Sequence, residues 1–184
     1  MRKIAKVPVV MQMEATECGA ASLAMVLAYF GRWLPLEQVR LDCGVGRDGS
    51  NAGNLLKAAR TYGLKAQGYR CSLDGVKKMS FPLIVHWNFN HFVVLCGFKK
   101  EQAVLCDPGR GRVTVTMKEF DEAFTGIALT FEKSEAFTPG GGPRSILLFY
   151  LLSQLWRLRF SPVSLWMKFF PERTLPGSPR SWQR

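Results

Sequence analysis

The stretch over residues 19–31, GAASLAMVLAYFG, constrains the fold more than any other part of this sequence, because it is almost wholly apolar. It is rich in Ala, Leu and Met, which favour a helix over a strand at this length. Gly31 can adopt the left-handed conformation that ends a helix. The stretch therefore predicts a buried central helix that stops at Gly31.

Two shorter helices are predicted next. Pro35 opens the amphipathic run PLEQVRLDCG, which ends at Gly44. After the Gly-rich loop GVGRDGSN, Ser50 or Asn51 can cap a helix that stops at Gly63.

From residue 64 onward the pattern changes to short β-prone runs separated by turn residues, namely LKAQGYR, PLIVHW, HFVVLCGF, AVLC, RVTVT and IALTF. Helical insertions begin at Ser72 and at Thr116, which forms a capping-box pattern with Glu119. Helices first and strands second predict an α+β fold, in which N-terminal helices pack on an antiparallel sheet.

The charge of the chain divides at the glycine run over residues 140–142. Residues 1–137 hold eighteen basic and thirteen acidic side chains, a net charge of +5, whereas residues 138–184 hold seven and one, a net charge of +6. We therefore predict a domain over residues 1–137, a Gly/Pro linker over residues 138–145 and a basic apolar tail over residues 146–184.

The tail region is more typical of a membrane-edge segment than of a nucleic-acid-binding face, because apolar residues alternate with Arg and Lys. Its longest uncharged apolar stretch, residues 145–156, is well short of the ~20 residues that cross a bilayer as a helix. The tail is not expected to span a membrane.

The cysteines form no zinc-ligand pattern. There are five, an odd number without a CxxC pair, and His86 and His91 are the two histidines of the chain. The N-terminus has a basic start but only the short apolar run VPVVM, so it lacks the apolar core of a secretory signal. We expect a protein of the reducing cytoplasm that binds no metal.

Cys18 directly precedes the apolar helix, so its sulfur is expected at the positive end of the helix dipole. Such a position lowers the pKa of a thiol and favours the nucleophilic thiolate. The alternative, a buried structural cysteine, is the more common fate of cysteine in general. The other four cysteines lie in apolar contexts and are predicted to be structural: Cys43, Cys71, Cys96 and Cys106.

A nucleophilic thiolate needs a base, and His91 is the better of the two candidates. It opens the run HFVVLCGF, which is predicted to form an antiparallel hairpin with AVLCD around a three-residue loop, residues 98–100. In that register His91 lies directly opposite Asp107, whose carboxylate can orient the imidazole, whereas a slip of one residue moves Asp107 to the other face. Asp107 in CDPG is alternatively, or in addition, an Asx-turn residue. His86 has no carboxylate at a comparable spacing.

Gln12 is a candidate for stabilising a developing oxyanion. Its side-chain amide, six residues before Cys18, can donate alongside the backbone N–H of Cys18. A glutamine in a loop is more often a solvated or turn-bonding amide, so the residues alone leave this role open.

These motifs together resemble a known family. Gln12 followed by TECGAASLAMVLAYFG, then HWNFNHFVV and later CDPG, resembles the papain-like peptidase domain at the N-terminus of peptidase-containing ABC transporters. The runs LLKAARTYGL, IVHWNFNHFVVL and EFDEAFTG are similar to the subgroup that handles nitrile-hydratase-like and Nif11-like leader peptides. The resemblance covers roughly residues 6–135 and implies a papain-like cysteine peptidase fold.

The resemblance also implies a reaction. Members of this family remove the leader of bacteriocin-like precursor peptides after a Gly-Gly or similar small-residue pair, and they use no metal or cofactor for the cleavage. Carried over to this sequence, the family pattern makes Cys18 the nucleophile, His91 the general base and acid, Asp107 the residue that orients His91, and Gln12 the oxyanion-hole donor.

The implied partners are a precursor peptide with a double-glycine leader and the transmembrane and ATPase parts of an ABC transporter. The implied location is the cytoplasm or the cytoplasmic face of the bacterial inner membrane. The sequence departs from the family at its end, because it contains no GxxxxGK[ST] phosphate-binding pattern. Residues 146–184 are expected to be a truncated remnant of a transporter, or an interfacial anchor that contacts the membrane.

Two other functions remain open. The first is a non-catalytic module that binds leader peptides for an export system, and the presence of Cys18 counts against it. The second is a basic nucleic-acid binder, and the modest net charge of residues 1–137 counts against it. We therefore expect no nucleic-acid partner.

Overall fold

A computed structural model describes residues 4–47 and 49–142, and the tail predicted over residues 146–184 lies outside them. Within the described residues, five α-helices occupy Cys18–Phe30 (α1), Leu36–Asp42 (α2), Ala52–Thr61 (α3), Leu73–Lys78 (α4) and Met117–Ala123 (α5). A short 3-10 turn, Ala15–Glu17, leads directly into α1.

The same residues contain six strands, Leu64–Arg70 (β1), Leu83–Trp87 (β2), His91–Lys99 (β3), Gln102–Asp107 (β4), Gly111–Thr116 (β5) and Phe124–Lys133 (β6). They form one antiparallel sheet in the order β1-β6-β2-β3-β4-β5. The predicted α+β fold, with helices packed on an antiparallel sheet, is confirmed.

Helix α1 is the buried central helix that the sequence predicts. It begins one residue earlier than expected, at Cys18, and its first eleven residues are buried. It ends at Gly31, where φ is +98° and the glycine N–H donates to Ala28 O. The helix packs against β3, α2 and α3, so its apolar surface is covered on several sides. Among the described residues, no helix has the length and apolar content to cross a membrane.

The opposite face of the sheet carries a second apolar cluster beneath α4 and α5. Phe120 of α5 is fully buried there, and its ring contacts the rings of Trp87, Phe98 and Phe124. The N-terminus of α5 has the predicted capping box, in which Thr116 Oγ1 accepts from Glu119 N and Glu119 Oε2 accepts from Thr116 N. Both faces of the sheet are therefore covered.

The hairpin of β3 and β4 differs from the predicted register. Its turn holds two residues, Lys100 and Glu101, because Lys99 pairs with Gln102. The register then shifts between Leu95 and Gly97, so that Val94 pairs with Cys106. Continuing this pairing by one residue places Asp107 opposite Val93 and diagonal to His91, not directly opposite it. The bulge adds one residue, and this offset keeps His91 and Asp107 on one side of the sheet.

The chain remains bound to the domain beyond residue 137. Gly140 O accepts from Trp33 N at 2.8 Å, and Gly140 N donates to Gly31 O at 3.1 Å. Phe137 is buried against Phe30. The first residues of the predicted linker thus lie beside the end of α1.

Gly63 is expected to tolerate no side chain. Its φ is +84°, and an added Cβ would lie 2.8 Å from both Ala136 O and Phe137 Cα. We predict that Gly63→Ala lowers the free energy of unfolding by about 2 kcal/mol or more, measured by urea denaturation. Gly46→Ala is the matched control, since no atom lies within 4 Å of its added Cβ, and it should change stability by less than ~0.5 kcal/mol. Equal stability of the two variants would contradict the prediction.

Candidate active site

Cys18 is the first residue of α1, and the residue is 7% exposed. Burial raises the pKa of this thiol, but a hydrogen bond with His91 and backbone hydrogen bonds at Phe92 and Gly19 lower it. The net result is a pKa below the ordinary value for cysteine. The thiolate is therefore favoured at the N-terminus of this helix.

His91 is the first residue of β3 and lies between the thiol and a carboxylate. Its Nε2 is 2.9 Å from Asp107 Oδ1, and its ring also interacts with the Cys18 thiol. The bond with Cys18 raises the pKa of His91 most, burial lowers it and Asp107 raises it again, so the pKa lies above the ordinary value. The imidazole is thus suited to hold the proton that the thiol releases.

Asp107 ends β4 and is 2% exposed. Its Oδ1 accepts from His91 and from Gly109 N at 2.8 Å, and its Oδ2 accepts from Arg110 Nε at 2.8 Å. Burial raises the pKa of this carboxyl, but the three donors outweigh burial and lower it. The Asx-turn bond predicted for CDPG is present, so Asp107 holds its own turn and contacts the imidazole at the same time.

The segment of Gln12 is attached to the turn that follows Asp107. Its backbone N–H donates to Pro108 O at 3.0 Å. Its side-chain Oε1 is buried and has no hydrogen-bond partner among residues 4–47 and 49–142. The predicted oxyanion residue therefore belongs to a segment that is fixed beside the carboxylate end of the site.

Glu17 fixes the other end of the same segment. It is 4% exposed, and its Oε2 accepts from Met13 N at 2.9 Å and from Glu14 N at 3.0 Å. Its Oε1 accepts from Arg40 Nη1 of α2 at 3.0 Å. The sequence does not identify this role, and the position of a glutamate next to Cys18 is the one signal it offers.

Ser22 joins α1 to β3. It lies one helical turn after Cys18, is fully buried, and its Oγ donates to Phe92 O at 3.0 Å. Because Phe92 follows His91 directly, this bond fixes the helix that carries the thiol against the strand that carries the imidazole. Nothing in the local sequence distinguishes Ser22 from a serine with no such partner.

An open cavity of about 430 Å³ lies beside the imidazole and the carboxylate. It is lined by Ala15, Trp87, Asn88, Asn90, His91, Asp107, Gly109 and Arg110. The loop between β2 and β3 supplies two asparagines to this cavity, and its Phe89 is 82% exposed with φ of +61°. The cavity is large enough to admit part of an extended peptide beside His91.

The second histidine lies outside this chain of contacts. His86 Nδ1 is 2.9 Å from Thr125 Oγ1, and burial together with the charge of His91 lowers the pKa of His86. The thiols of Cys43 and Cys71 are also separate from the site. Burial raises the pKa of Cys43 to about 12 and raises that of Cys71.

Cys96 and Cys106 form a buried pair. Their sulfur atoms are 3.4 Å apart across β3 and β4. The hydrogen bond with Cys106 and burial raise the pKa of Cys96 far above the ordinary value. These two thiols pack in the core between the helices and the sheet.

A thiol at the N-terminus of a buried helix beside an imidazole, on helices packed against an antiparallel sheet, is the arrangement of the papain-like cysteine peptidases. The chain belongs to the peptidase C39 family, whose model matches residues 6–136.

The chain is similar to solved and curated proteins of related description. A double glycine motif protease from an AMS/PCAT transporter, solved in complex with the leader peptide, is 64% identical and superimposes with a TM-score of 0.71. That match covers 73% of this chain and 96% of the solved chain. The peptidase domain of Streptococcus ComA, a bi-functional ABC transporter involved in a quorum-sensing pathway, is 22% identical. Its match, with a TM-score of 0.65, covers 68% of this chain and 98% of that domain and shows the fold alone.

Curated relatives are much longer than the matched region. The colicin V secretion/processing ATP-binding protein CvaB of Escherichia coli is 36% identical over 124 residues, which are 67% of this chain and 18% of CvaB. The chain spans about a fifth of the length of these curated relatives.

We predict that Cys18 reacts with iodoacetamide faster than Cys71 at pH 7, because the pKa of Cys18 is lowered and that of Cys71 is raised. Between pH 7 and pH 6 the Cys71 rate should fall about tenfold, whereas the Cys18 rate should fall less. Mass spectrometry of the alkylated peptides measures both rates in one sample. In His91→Ala, Cys18 is expected to lose its higher alkylation rate relative to Cys71. Equal rates for the two thiols in the chain without substitution would contradict activation of Cys18.

Removing the Glu17 carboxylate is expected to destabilise the segment between Gln12 and Cys18. Glu17→Ala leaves two backbone N–H groups and Arg40 without this acceptor, so the free energy of unfolding should fall by about 1–3 kcal/mol. Thermal melting followed by circular dichroism measures the change. Glu122→Ala is the control, since Glu122 is 65% exposed and its ion pair with Lys118 is 3.9 Å long. A melting point of Glu17→Ala equal to that of Glu122→Ala would contradict the role assigned to Glu17.

Proposed function

We propose that this chain is a cysteine endopeptidase that removes the leader from ribosomally synthesised, bacteriocin-like precursor peptides after a Gly-Gly or similar small-residue pair. In this proposal Cys18 is the nucleophile, His91 the general base and acid, Asp107 the residue that orients His91, and Gln12 an oxyanion-hole donor. The observation that carries it is the position of His91, whose Nε2 is 2.9 Å from Asp107 Oδ1 and whose interaction with the Cys18 thiol lowers the pKa of that thiol.

The substrate is proposed from similarity. The double glycine motif protease that is 64% identical to this chain was solved in complex with the leader peptide, and CvaB is described as a secretion/processing protein. A leader that ends in Gly-Gly is therefore the substrate class to test first. The runs LLKAARTYGL and EFDEAFTG favour leaders of the nitrile-hydratase-like or Nif11-like type.

Acylation begins at the thiol. His91 Nδ1 takes the proton of Cys18, and the sulfur attacks the carbonyl carbon of the second small residue of the leader. The carbonyl oxygen becomes an oxyanion, which accepts hydrogen bonds from the backbone N–H of Cys18 and the side-chain amide of Gln12. The protonated His91 then donates its proton to the leaving amine, which frees the mature peptide and leaves the leader as a thioester on Cys18.

Deacylation repeats these roles with water. His91 accepts a proton from a water molecule that attacks the thioester, and the second tetrahedral intermediate collapses to the free carboxylate and the thiol. Asp107 remains ionised throughout and keeps Nε2 of His91 as the nitrogen that carries the fixed proton. The lowered pKa of Asp107 is consistent with this role.

We further propose that an ABC transporter, as transmembrane and ATPase parts, is the export partner. This assignment places the peptidase domain in the cytoplasm or at the cytoplasmic face of the bacterial inner membrane. CvaB is described as a secretion/processing protein and MesD of Leuconostoc mesenteroides as a transport/processing protein, which supports the coupling of cleavage to export. Residues 146–184 are proposed as the segment that contacts the transporter or the membrane.

The test is cleavage of a synthetic peptide that consists of a leader ending in Gly-Gly and a short core. The chain is expected to cleave the bond after the second glycine, and mass spectrometry should identify the two resulting products. Cys18→Ala should lose cleavage by at least ~10³-fold while it still binds the peptide, measured by fluorescence anisotropy of a labelled leader.

Two outcomes contradict the proposal in different ways. Binding without cleavage by the intact chain, across several leader types, would indicate a leader-binding module. Cleavage that persists in Cys18→Ala would show that another group, or a contaminating peptidase, breaks the bond. The matched substrate control is the same peptide with Val-Val in place of Gly-Gly.

A further inference from the structure

Arg110 holds the second oxygen of the Asp107 carboxylate. Oδ1 of Asp107 accepts from His91 Nε2 at 2.9 Å and from Gly109 N at 2.8 Å, so this oxygen is occupied twice. Oδ2 accepts from Arg110 Nε at 2.8 Å, the one hydrogen bond to this oxygen among the described residues. The side chain of Asp107 is 3% exposed, so bulk water has almost no access to it.

The orientation of this carboxylate needs a donor on each oxygen. The terminal torsion of an aspartate is broad, so its plane rotates easily about the last bond. The Gly109 N–H alone fixes one oxygen and leaves the plane free to turn. The Arg110 bond removes that freedom, and the plane then points one lone pair of Oδ1 at the imidazole.

Arg110 is also placed where it can act on the site without being buried. Its side chain is 60% exposed and lines the cavity of about 430 Å³ together with His91 and Asp107. The arginine is reached by a tight turn, Asp107–Pro108–Gly109–Arg110, that starts at the carboxylate itself. The turn therefore places two donors within three residues of Asp107, the backbone N–H of Gly109 and the side-chain Nε of Arg110.

We propose that Arg110 is a positioning residue of the active site, which holds Asp107 Oδ2 so that Oδ1 stays on His91 Nε2. This role rests on the proposed function, in which Asp107 orients the catalytic imidazole of His91. Arg110 touches neither the thiol nor the reacting carbonyl in this role.

The charge of Arg110 is also expected to affect the titration of Cys18 and His91. Among residues 4–47 and 49–142, the titratable groups that act on His91 are Cys18 from α1, Asp107 from β4 and His86 from β2. Beside Arg110, Glu119 and Glu122 of α5 line an adjoining cavity. The positive charge of Arg110 lies next to the Asp107 carboxylate and partly offsets the negative charge that stabilises protonated His91. Removing it should raise the pH at which Cys18 becomes a thiolate and the pH at which His91 loses its proton.

The test compares three variants in the full chain. Arg110→Met removes the charge and the donor and keeps the apolar stem. Arg110→Lys keeps the charge and one donor. Arg112→Met is the control, because Arg112 is two residues away and donates to Ala5 O instead of the carboxylate. Each variant is first compared with the intact chain by circular dichroism and thermal melting.

Two measurements are made on each variant. Cleavage of the Gly-Gly leader peptide gives kcat and KM, and iodoacetamide alkylation of Cys18 against pH gives the half-point of thiolate formation. For Arg110→Met, kcat is expected to fall about tenfold with KM changed less than about twofold. The alkylation half-point is expected to rise by about half a pH unit. Arg110→Lys should recover most of both changes, and Arg112→Met should show neither.

Each contrary result overturns the inference. An increase in KM at constant kcat for Arg110→Met would mean that Arg110 binds the peptide and does not position Asp107. A shift in Arg112→Met as large as that in Arg110→Met would mean that net charge, not the contact with Oδ2, is responsible.

The alkylation readout separates this inference from the proposed function, because it needs no leader. A chain that cleaves no Gly-Gly peptide but shows the Arg110 shift at Cys18 would contradict the proposed substrate and support the positioning role. Cleavage by the intact chain that Arg110→Met leaves unchanged would support the proposed function and contradict the positioning role.

Discussion

The burial of α1 is the interaction on which the rest of the structure depends. Every residue from Cys18 to Ala28 is buried, and a helix of this composition is stable only when sheet and helices surround it. The bond of Ser22 to Phe92 O fixes its rotation and its height on β3. Because Cys18 is the first residue of this helix, the same burial that stabilises the core also fixes the thiol beside His91. The precision of the site is therefore a property of the core and not of a flexible loop.

The chain supports this arrangement with short links between residues that neighbour the site. Gln12 is bonded to Pro108, which follows Asp107, and Glu17, which precedes Cys18, holds Met13 and Glu14. The segment of the oxyanion candidate is thus attached at both ends to sequence neighbours of the thiol and the carboxylate. A displacement of α1 relative to β4 would strain these links, so the relative positions of Cys18, Gln12 and Asp107 are coupled through these hydrogen bonds.

Local signals were sufficient to predict much of the fold. The apolar stretch before Gly31, the capping box of Thr116 and Glu119, and the Asx turn of Asp107 each depend on residues within a few positions of one another. The register of β3 and β4 depends on distant contacts. Ala5 N donates to Cys96 O at 2.9 Å, and a Cβ on Gly97 would lie 3.5 Å from Ile4 Cα. The N-terminal segment therefore packs on the bulge, and no pattern inside the hairpin reveals it.

The two histidines show how the environment decides a role that composition leaves open. His86 and His91 lie on adjacent strands, and both are half-buried or nearly so. Burial and the charge of His91 lower the pKa of His86, whose Nδ1 contacts a hydroxyl, whereas a thiol and a carboxylate raise the pKa of His91. Protonating either ring opposes protonation of the other, so the proton concentrates on the ring with anionic partners. His91 is therefore the histidine that is protonated more readily, because Thr125 offers His86 no charge to stabilise an imidazolium.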